Sequence, residues 1–163
     1  MKIDIHDLDL IVFDFDGVLT DNSVYVDQFG VESVKCSRSD GLAFDILRKF
    51  DVRAIILSTE TNSVVQERAK KLRIEALGSQ ANKESFLEQF CKDNSYNLDK
   101  VMYVGNDLND FYAMKLAGYR LCPVDSHPKI LEIASEVIDL KGGDGIARYV
   151  VENIFGLNFL DFY

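Results

Sequence analysis

Two aspartates stand one residue apart in the segment FDFDGVLTD, directly after an apolar stretch and before a glycine. Side chains two residues apart on an extended chain point to the same face, so Asp14 and Asp16 are expected to lie side by side. Two neighbouring carboxylates are costly to bury unless a cation compensates their charge, and oxygen ligands of this kind suit Mg²⁺. The pair therefore predicts a magnesium site with Asp14 and Asp16 as ligands.

The same pair predicts phosphoryl transfer. As a nucleophile attacking phosphorus, Asp14 would replace one difficult hydrolysis by two easier displacements through an aspartyl-phosphate. Asp16 would protonate the departing alcohol oxygen and then remove a proton from the attacking water. We therefore predict a Mg²⁺-dependent phosphatase with Asp14 as nucleophile and Asp16 as general acid/base.

Three further polar positions follow along the chain in an order that this chemistry can use. Ser58 ends an apolar stretch and offers a hydroxyl to a phosphoryl oxygen, and Lys83 opens a predicted helix and offers a positive charge. The segment GNDLND follows another apolar stretch and offers oxygens to the metal. Asp107 is the preferred third ligand, because a carboxylate neutralises a hard cation better than the amide of Asn106, which is the alternative.

Strand-like apolar stretches alternate with amphipathic helical segments, which predicts a parallel sheet covered by helices. The predicted strands are 10–13, 52–57, 101–104 and 119–124, and the predicted helices are 41–50, 62–72, 83–94 and 108–117. Sheets of this type bind ligands at the carboxyl ends of their strands. The polar positions named above fall at those ends or at helix starts, so the sequence predicts one site there.

One segment breaks the alternation of strands and helices. Residues 23–36 read SVYVDQFGVESVKC, with alternating valines around a turn at 28–30, which predicts a β-hairpin. Inserted after the first strand, this hairpin would stand beside the site as a flap, or pair with another subunit through its edge. The length of 163 residues and the lack of a linker composition predict a single domain over 1–163.

Composition narrows the expected partners and location. The net charge of −9 opposes binding to nucleic acid and to anionic membranes, so neither is expected as a partner. The apolar stretches are far shorter than the ~20 residues that span a bilayer. Residues 1–10 lack the basic start and apolar stretch of a secretory signal, so a cytoplasmic location is expected.

Taken together, DxDGVLTD, Ser58, Lys83 and GNDLND resemble, in order, the four motifs of the haloacid dehalogenase (HAD) superfamily. Four short motifs in the right order are far more specific than any one of them alone. The resemblance covers essentially the whole chain. It implies a doubly wound, three-layer α/β/α fold with a Rossmann-like parallel sheet, and the hairpin is then an insertion after its first strand.

Within that superfamily, the hairpin, the absence of a cap domain and the segment GGDGIAR at 142–148 look like the capless subgroup. That subgroup contains the phosphatases of 3-deoxy-octulosonate 8-phosphate and of nine-carbon 2-keto-3-deoxy sugar acid phosphates. The resemblance therefore implies a phosphorylated sugar acid as substrate. It also implies a homotetramer in which the hairpins close into a barrel and a neighbouring subunit helps to cover the active site.

The residues after Ser58 bear on the sugar. In the octulosonate enzymes the second motif usually continues as Gly-Arg, whereas here it continues as Thr-Glu, which is similar to the nine-carbon enzymes. The predicted substrate-binding residues are Thr59, Glu60, Arg68 and Lys71, with a cation pairing with the substrate carboxylate and Glu60 accepting from hydroxyls or an amine. A nonulosonate 9-phosphate is favoured. The alternatives are a 3-deoxy-D-manno-octulosonate 8-phosphate phosphatase, or a weakly active structural relative of the domains fused to acylneuraminate cytidylyltransferases.

Overall fold

A computed structural model describes residues 2–78 and 82–162 of the chain. Its strands are β1 (Leu10–Phe13), β2 (Thr20–Val26), β3 (Glu32–Cys36), β4 (Arg53–Leu57), β5 (Glu75–Leu77), β6 (Val101–Val104), β7 (Tyr119–Pro123) and β8 (Glu136–Ile138). Six of these form a sheet in the order β5-β4-β1-β6-β7-β8, and every pairing in it is parallel. The order places β1 in the interior of the sheet, between β4 and β6.

The helices are α1 (Ser39–Lys49), α2 (Ser63–Leu72), α3 (Lys83–Asn94), α4 (Phe111–Leu116), α5 (Pro128–Ile133) and α6 (Ile146–Tyr149), which continues as a π-helical turn over Val150–Ile154. Short 3₁₀ turns occur at Ile5–Asp7, Leu98–Lys100 and Phe159–Phe162. Two asparagine caps fix helix starts near the sheet edge: Asn62 accepts from the backbone N–H of Val64, and Asn82 accepts from that of Ser85. The second cap places Lys83 in the first turn of α3.

Alternating side chains of the fully buried strand β1 divide the core into two halves. Ile11 and Phe13 pack with α1, α2 and α6 on one face of the sheet, whereas Leu10 and Val12 pack with α3, α4 and α5 on the other. Helices therefore cover both faces. The predicted α/β fold with a three-layer parallel sheet is confirmed, whereas the single domain over 1–163 stays a prediction.

The sequence located the interior strands better than the edges of the sheet. Strands 10–13 and 101–104 match β1 and β6 residue for residue, but β5 and β8 were not predicted. Both are edge strands of three residues, which is too short to show a periodic pattern. The predicted helix 108–117 is shorter in the structure, because residues 107–110 form a turn before α4 begins at Phe111.

Strands β2 and β3 form the expected antiparallel hairpin, with Val24 opposite Val34 and Val26 opposite Glu32. The carboxylate of Asp27 accepts from two backbone N–H groups of the turn, and Gly30 supplies its positive φ of 76°. Strand β2 begins at Thr20, three residues earlier than predicted, with an irregular register between Thr20 and Val24. The hairpin carries large exposed apolar side chains: Val24, Tyr25, Val26, Phe29 and Val31.

None of the helices within residues 2–78 and 82–162 combines the length and the apolar character that a bilayer-spanning segment needs.

Candidate active site

The carboxyl ends of three adjacent strands, β4, β1 and β6, meet at one cleft. The backbone N–H of Asp14 donates to the carbonyl of Val104 at 2.9 Å, and that of Ser58 donates to Leu77 at 3.1 Å, so each polar residue continues its strand by one step. The cleft has a volume of about 350 Å³. Its lining residues are Asp14, Asp16, Asn22, Ser58, Thr59, Glu60, Asn106, Asp107 and Asn109.

Asp14 is held firmly at the floor of this cleft. Its side chain is almost fully buried, and its Oδ1 accepts from the backbone N–H of Phe15 at 2.7 Å. The ammonium of Lys83 lies 2.7 Å from the same oxygen, in an ion pair with a fully buried lysine side chain. The structure thus brings together the two residues that the sequence placed 69 positions apart in the chain, from 14 to 83.

The negative charges of Asp14 and Asp110 exceed the single positive charge of Lys83 between them. Burial first, and the negative charge of Asp110 second, raise the pKa of Asp14 from 3.8 to about 8, although Lys83 opposes the shift. Burial alone would lower the pKa of Lys83, but the two adjacent carboxylates outweigh it and raise that pKa. A further cation beside Asp14 would favour its ionised form, so the site is chemically suited to a metal ion.

Asp16 lies at the rim of the same cleft, on the turn that leaves β1. Burial, and next the carboxylate of Glu60, raise the pKa of Asp16. The turn is closed by Thr20, whose hydroxyl oxygen accepts from the backbone N–H of Gly17 at 3.1 Å and from that of Asn22 at 3.2 Å. A carboxyl group with a raised pKa at a cleft rim is able to carry a proton to a leaving group.

A buried aspartate that the sequence pattern alone did not indicate connects Lys83 to the turn that carries Asn106. Asp110 accepts at Oδ1 from Lys83 at 2.7 Å and from the hydroxyl of Tyr103 at 2.9 Å. Its Oδ2 accepts from the backbone N–H of Asn106 at 2.9 Å. A sequence signal existed, because Asp110 is the last acid of GNDLND, but only the packing of α4 against β6 shows which groups it contacts.

Ser58 is buried at the end of β4, where its Oγ accepts from the backbone N–H of Glu60 at 3.0 Å. This bond folds the chain back, so that Thr59 and Glu60 line the cleft. The hydroxyl hydrogen of Ser58 remains for an oxygen atom in the cleft.

The third metal ligand stays a prediction, and the structure favours the alternative in the same turn. Asp107 is exposed, and its Oδ1 accepts from the backbone N–H of Leu108 at 2.7 Å. Among residues 2–78 and 82–162, no three His, Cys, Asp or Glu side chains are grouped closely enough to hold a metal ion, so the preferred set of Asp14, Asp16 and Asp107 is not assembled. The amide Oδ1 of Asn106 is buried without a hydrogen-bond partner, and it offers the missing oxygen instead.

Gly17 explains how this amide comes so close to the turn after β1. A Cβ at Gly17 would stand 2.0 Å from Asn106 Nδ2, which is far inside van der Waals contact. The glycine of the DFDG segment therefore allows the Asn106 side chain to pack directly against the turn that carries Asp16.

The structure places Arg68 and Lys71 outside the cleft, so it does not bring them together with the other predicted substrate-binding residues. Both line a separate groove with Arg38 and Gly41, where α2 packs near the start of α1. Arg68 also donates from Nη2 to the backbone carbonyl of Ser37 at 2.5 Å. Glu60 precedes α2 and lines the cleft, whereas Arg68 and Lys71 lie later in this helix and line the separate groove.

A second compartment of about 260 Å³ continues the cleft beneath the hairpin. It shares Asp16, Asn22 and Glu60 with the cleft, and its further walls are Val24, Glu32, Val34, Asn62 and Val64. Asn62 donates to Glu32 at 3.0 Å, which ties the hairpin to the start of α2. The compartment offers hydrogen-bonding groups and apolar surface together, a combination that suits a polyhydroxylated carbon chain.

A larger cavity, of about 460 Å³, opens at the opposite ends of the strands. The guanidinium of Arg53 in its wall pairs with Glu75 at 2.6 Å and bonds to Asn94 at 2.9 Å. These groups satisfy one another and lie at the amino ends of β4 and β5, away from every residue of the predicted chemistry.

Comparison with known proteins agrees with this geometry. A family model described as haloacid dehalogenase-like hydrolase matches residues 50–150, more than half of the chain. Among curated proteins, 3-deoxy-D-manno-octulosonate 8-phosphate phosphatase KdsC from Yersinia pestis is 29% identical over 146 residues, which cover 89% of this chain and 78% of the relative.

Solved structures show the same relationship. A HAD family hydrolase from Streptomyces avermitilis is 37% identical, with a TM-score of 0.93 over 98% of this chain and 91% of the other. The 3-deoxy-D-manno-octulosonate 8-phosphate phosphatase from Moraxella catarrhalis, solved with magnesium, phosphate and KDO, is 26% identical, with a TM-score of 0.90 over 97% of this chain and 92% of the other. The prediction of a hydrolase is confirmed, and the relatives hydrolyse phosphoric monoesters. This chain belongs to the haloacid dehalogenase-like hydrolase family.

Proposed function

We propose that this protein is a Mg²⁺-dependent phosphatase that removes phosphate from a 2-keto-3-deoxy sugar acid through an aspartyl-phosphate intermediate. The observation that carries the proposal is the buried Asp14 at the carboxyl end of β1, held 2.7 Å from the ammonium of Lys83 at the floor of an open cleft. A carboxylate with an adjacent fixed cation is suited to attack a phosphoryl group whose oxygens carry negative charge.

The contacts of Asp14 assign different tasks to its two oxygens. Oδ1 receives the hydrogen bonds from Phe15 and Lys83, so Oδ2 is the atom that we assign to the attack on phosphorus. As the Oδ2–P bond forms, the bond from phosphorus to the sugar oxygen breaks. The hydroxyl of Ser58 and the one remaining N–H group of Lys83 donate to the phosphoryl oxygens during this step.

Asp16 serves both halves of the reaction. Its raised pKa keeps a proton available for the departing sugar oxygen. Once the alcohol has left, the ionised Asp16 takes a proton from the water that attacks phosphorus, which releases inorganic phosphate and restores Asp14. One carboxyl group at the cleft rim thus acts first as acid and then as base.

Asp14, Asp16 and the amide oxygen of Asn106 are the residues that we assign to Mg²⁺. The unpartnered Oδ1 of Asn106 and the excess of negative charge around Asp14 support this set. When bound, Mg²⁺ would neutralise negative charge on the Asp14 carboxylate and on the phosphoryl oxygens.

This assignment makes the affinity for Mg²⁺ depend on pH. Burial and Asp110 raise the pKa of Asp14 to about 8, and only the ionised carboxylate binds a hard cation. Protons therefore compete with the metal below that pH, and the Kd for Mg²⁺ should fall by up to about tenfold per pH unit as the pH rises from about 6 to about 8. Calorimetric titration with MgCl₂ at several pH values measures this, and a Kd that is constant over the range would contradict the assignment.

The compartment beneath the hairpin supports a sugar substrate longer than a triose or hexose phosphate. Its shared wall with the cleft lets a chain attached to the phosphate continue past Asp16 and Glu60. Thr59 and Glu60 are the residues that we assign to the sugar, with Glu60 accepting hydrogen bonds from hydroxyls or an amine. On this basis a nine-carbon nonulosonate 9-phosphate remains the favoured substrate.

The second candidate is 3-deoxy-D-manno-octulosonate 8-phosphate, which the names of the Yersinia pestis and Moraxella catarrhalis relatives favour. A substrate panel separates the two. We expect kcat/KM for eight- and nine-carbon 2-keto-3-deoxy acid phosphates to exceed that for glucose 6-phosphate by at least about 100-fold, the scale that a few buried polar contacts provide. Equal values for all sugars would remove the sugar-acid assignment, and a higher value for the eight-carbon compound would select the second candidate.

We further propose that the protein assembles as a homotetramer through the hairpin. The turn residue Phe29 is 81% exposed, and four other large apolar side chains surround it, a patch that monomeric proteins usually avoid. The wild-type protein should sediment with a mass near four times the 18.5 kDa of one chain. Val26→Glu should shift it to smaller species, whereas Val137→Glu on the edge strand β8 should not, and a monomeric wild type would contradict the proposal.

A further inference from the structure

A tyrosine occupies a strand that is otherwise wholly apolar. Tyr103 belongs to β6, has no exposed surface, and packs with the core residues between the sheet and α3 and α4. A buried hydroxyl requires a hydrogen-bond partner, and that of Tyr103 donates to Asp110 Oδ1 at 2.9 Å. Burial, and next Asp110, raise the pKa of Tyr103 well above its usual value, so the hydroxyl stays a donor.

The partner of this hydroxyl connects it to the nucleophile. The same Oδ1 of Asp110 accepts from Lys83 Nζ at 2.7 Å, and Lys83 Nζ lies 2.7 Å from Asp14 Oδ1. The ammonium is therefore equally close to both carboxylates. Gly105 makes room for this arrangement, because a Cβ there would stand 2.7 Å from the carboxyl group of Asp110.

The equal distances depend on how the charge of Asp110 is shared. The hydroxyl of Tyr103 donates to Oδ1, and the backbone N–H groups of Asn106 and Asp107 donate to Oδ2, so part of the carboxylate's charge is already compensated. Without the hydroxyl, Oδ1 would keep the hydrogen bond from Lys83 and would attract the ammonium more strongly. Lys83 would then move towards Asp110 and away from Asp14 and the phosphoryl group.

We propose that Tyr103 is a positioning residue whose hydroxyl holds Asp110 so that Lys83 stays on Asp14 during phosphoryl transfer. The inference rests on the proposed function. Tyr103 touches neither the substrate nor the reacting atoms, and it acts through Asp110 alone. Its effect falls on the charge that develops during transfer, so it alters kcat and leaves the binding of substrate nearly unchanged.

Tyr103→Phe tests this, because it removes the hydroxyl and keeps the ring. We expect kcat to fall about tenfold, which is the effect of losing one hydrogen bond to a charged group. The KM should stay within about twofold of the wild-type value. Inhibition by orthovanadate, which resembles the five-coordinate phosphorus of the transition state, should weaken by a similar factor, and inhibition by inorganic phosphate by less than about threefold. Tyr96→Phe is the matched control: its hydroxyl accepts from Arg53 at 3.4 Å, away from the cleft, and all constants should be unchanged.

Two outcomes would overturn the inference: an unchanged kcat in a folded Tyr103→Phe variant, or an equal loss of inhibition by vanadate and by phosphate. If Tyr103→Phe does not fold, Asp110→Asn is compared with the double variant Asp110→Asn/Tyr103→Phe. In the double variant the Asp110 carboxylate is absent, so the loss of the Tyr103 hydroxyl leaves no buried charge without its donor. The single and double variants should have the same kcat, and a lower kcat in the double variant would overturn the inference. A wild type without phosphatase activity overturns the proposed function itself, whereas an active wild type with an unaffected Tyr103→Phe overturns this inference alone.

Discussion

Asp14→Asn should abolish turnover while the protein stays folded. The amide cannot attack phosphorus, so kcat should fall by roughly four to six orders of magnitude, the scale seen when a covalent nucleophile is removed. Assay of phosphate release with the preferred sugar acid phosphate measures the loss. Asp139→Asn is a matched control, because Asp139 is an exposed aspartate directly after another strand of the same sheet, and this variant should keep full activity.

Thermal melting in a chelator separates loss of chemistry from loss of fold in this variant. Burial and the negative charge of Asp110 raise the pKa of Asp14 in the folded protein from its ordinary 3.8 to about 8. A carboxyl group whose pKa is raised on folding leaves the free energy of unfolding unchanged at pH values below its pKa in the unfolded chain. As the pH rises from there to its pKa in the folded protein, the group lowers the free energy of unfolding more and more. Asp14→Asn lacks this cost, so its Tm should be at least that of the wild type at pH near 8, and a much lower Tm would contradict our description of the site.

Lys83→Met should cause the second largest effect, and it should damage stability as well as activity. The lysine lies 2.7 Å from both Asp14 and Asp110, so its loss leaves two buried carboxylates facing each other. Removing one partner from a buried ionic group costs about 3–5 kcal/mol of unfolding free energy. We expect kcat to fall at least about 1000-fold, since a fixed charge at the developing transition state is also lost.

A second substitution distinguishes the two effects of Lys83→Met. Adding Asp110→Asn removes one of the facing carboxylates, so the double variant should recover much of the lost stability but none of the activity. Lys92→Met, in the last turn of the same helix and exposed, is the matched control and should change neither. Recovered activity in the double variant would show that Lys83 stabilises the fold without taking part in phosphoryl transfer.

The sequence could locate the residues that lie directly at strand ends. Asp14 and Ser58 each follow an apolar stretch, and a parallel sheet necessarily brings such positions to one edge. The start of α3 could also be predicted from the sequence, because an asparagine cap precedes Lys83. The fold class and these main side chains of the candidate site therefore follow from local pattern together with one rule of sheet topology.

The remaining features depend on packing that no local pattern encodes. Whether Asn106 or Asp107 has a free side-chain oxygen at the cleft is decided by the turn that Asp110 holds through the Asn106 N–H. The direction of α2 decides that Arg68 lies against the loop after the hairpin and outside the cleft. The contact from Tyr103 to Asp110 joins a central strand to a loop, and both the register of β6 and the start of α4 must be known to find it.

Reductive trapping tests the nucleophilic role of Asp14 most directly. An acyl phosphate is reduced by borohydride to the alcohol, so quenching the enzyme during turnover should convert residue 14 to homoserine, as read by mass spectrometry of the peptide that contains it. We expect this conversion with substrate and Mg²⁺ together, and not when substrate is omitted. Conversion of a different aspartate, or none at all in an enzyme that is releasing phosphate, would contradict the mechanism.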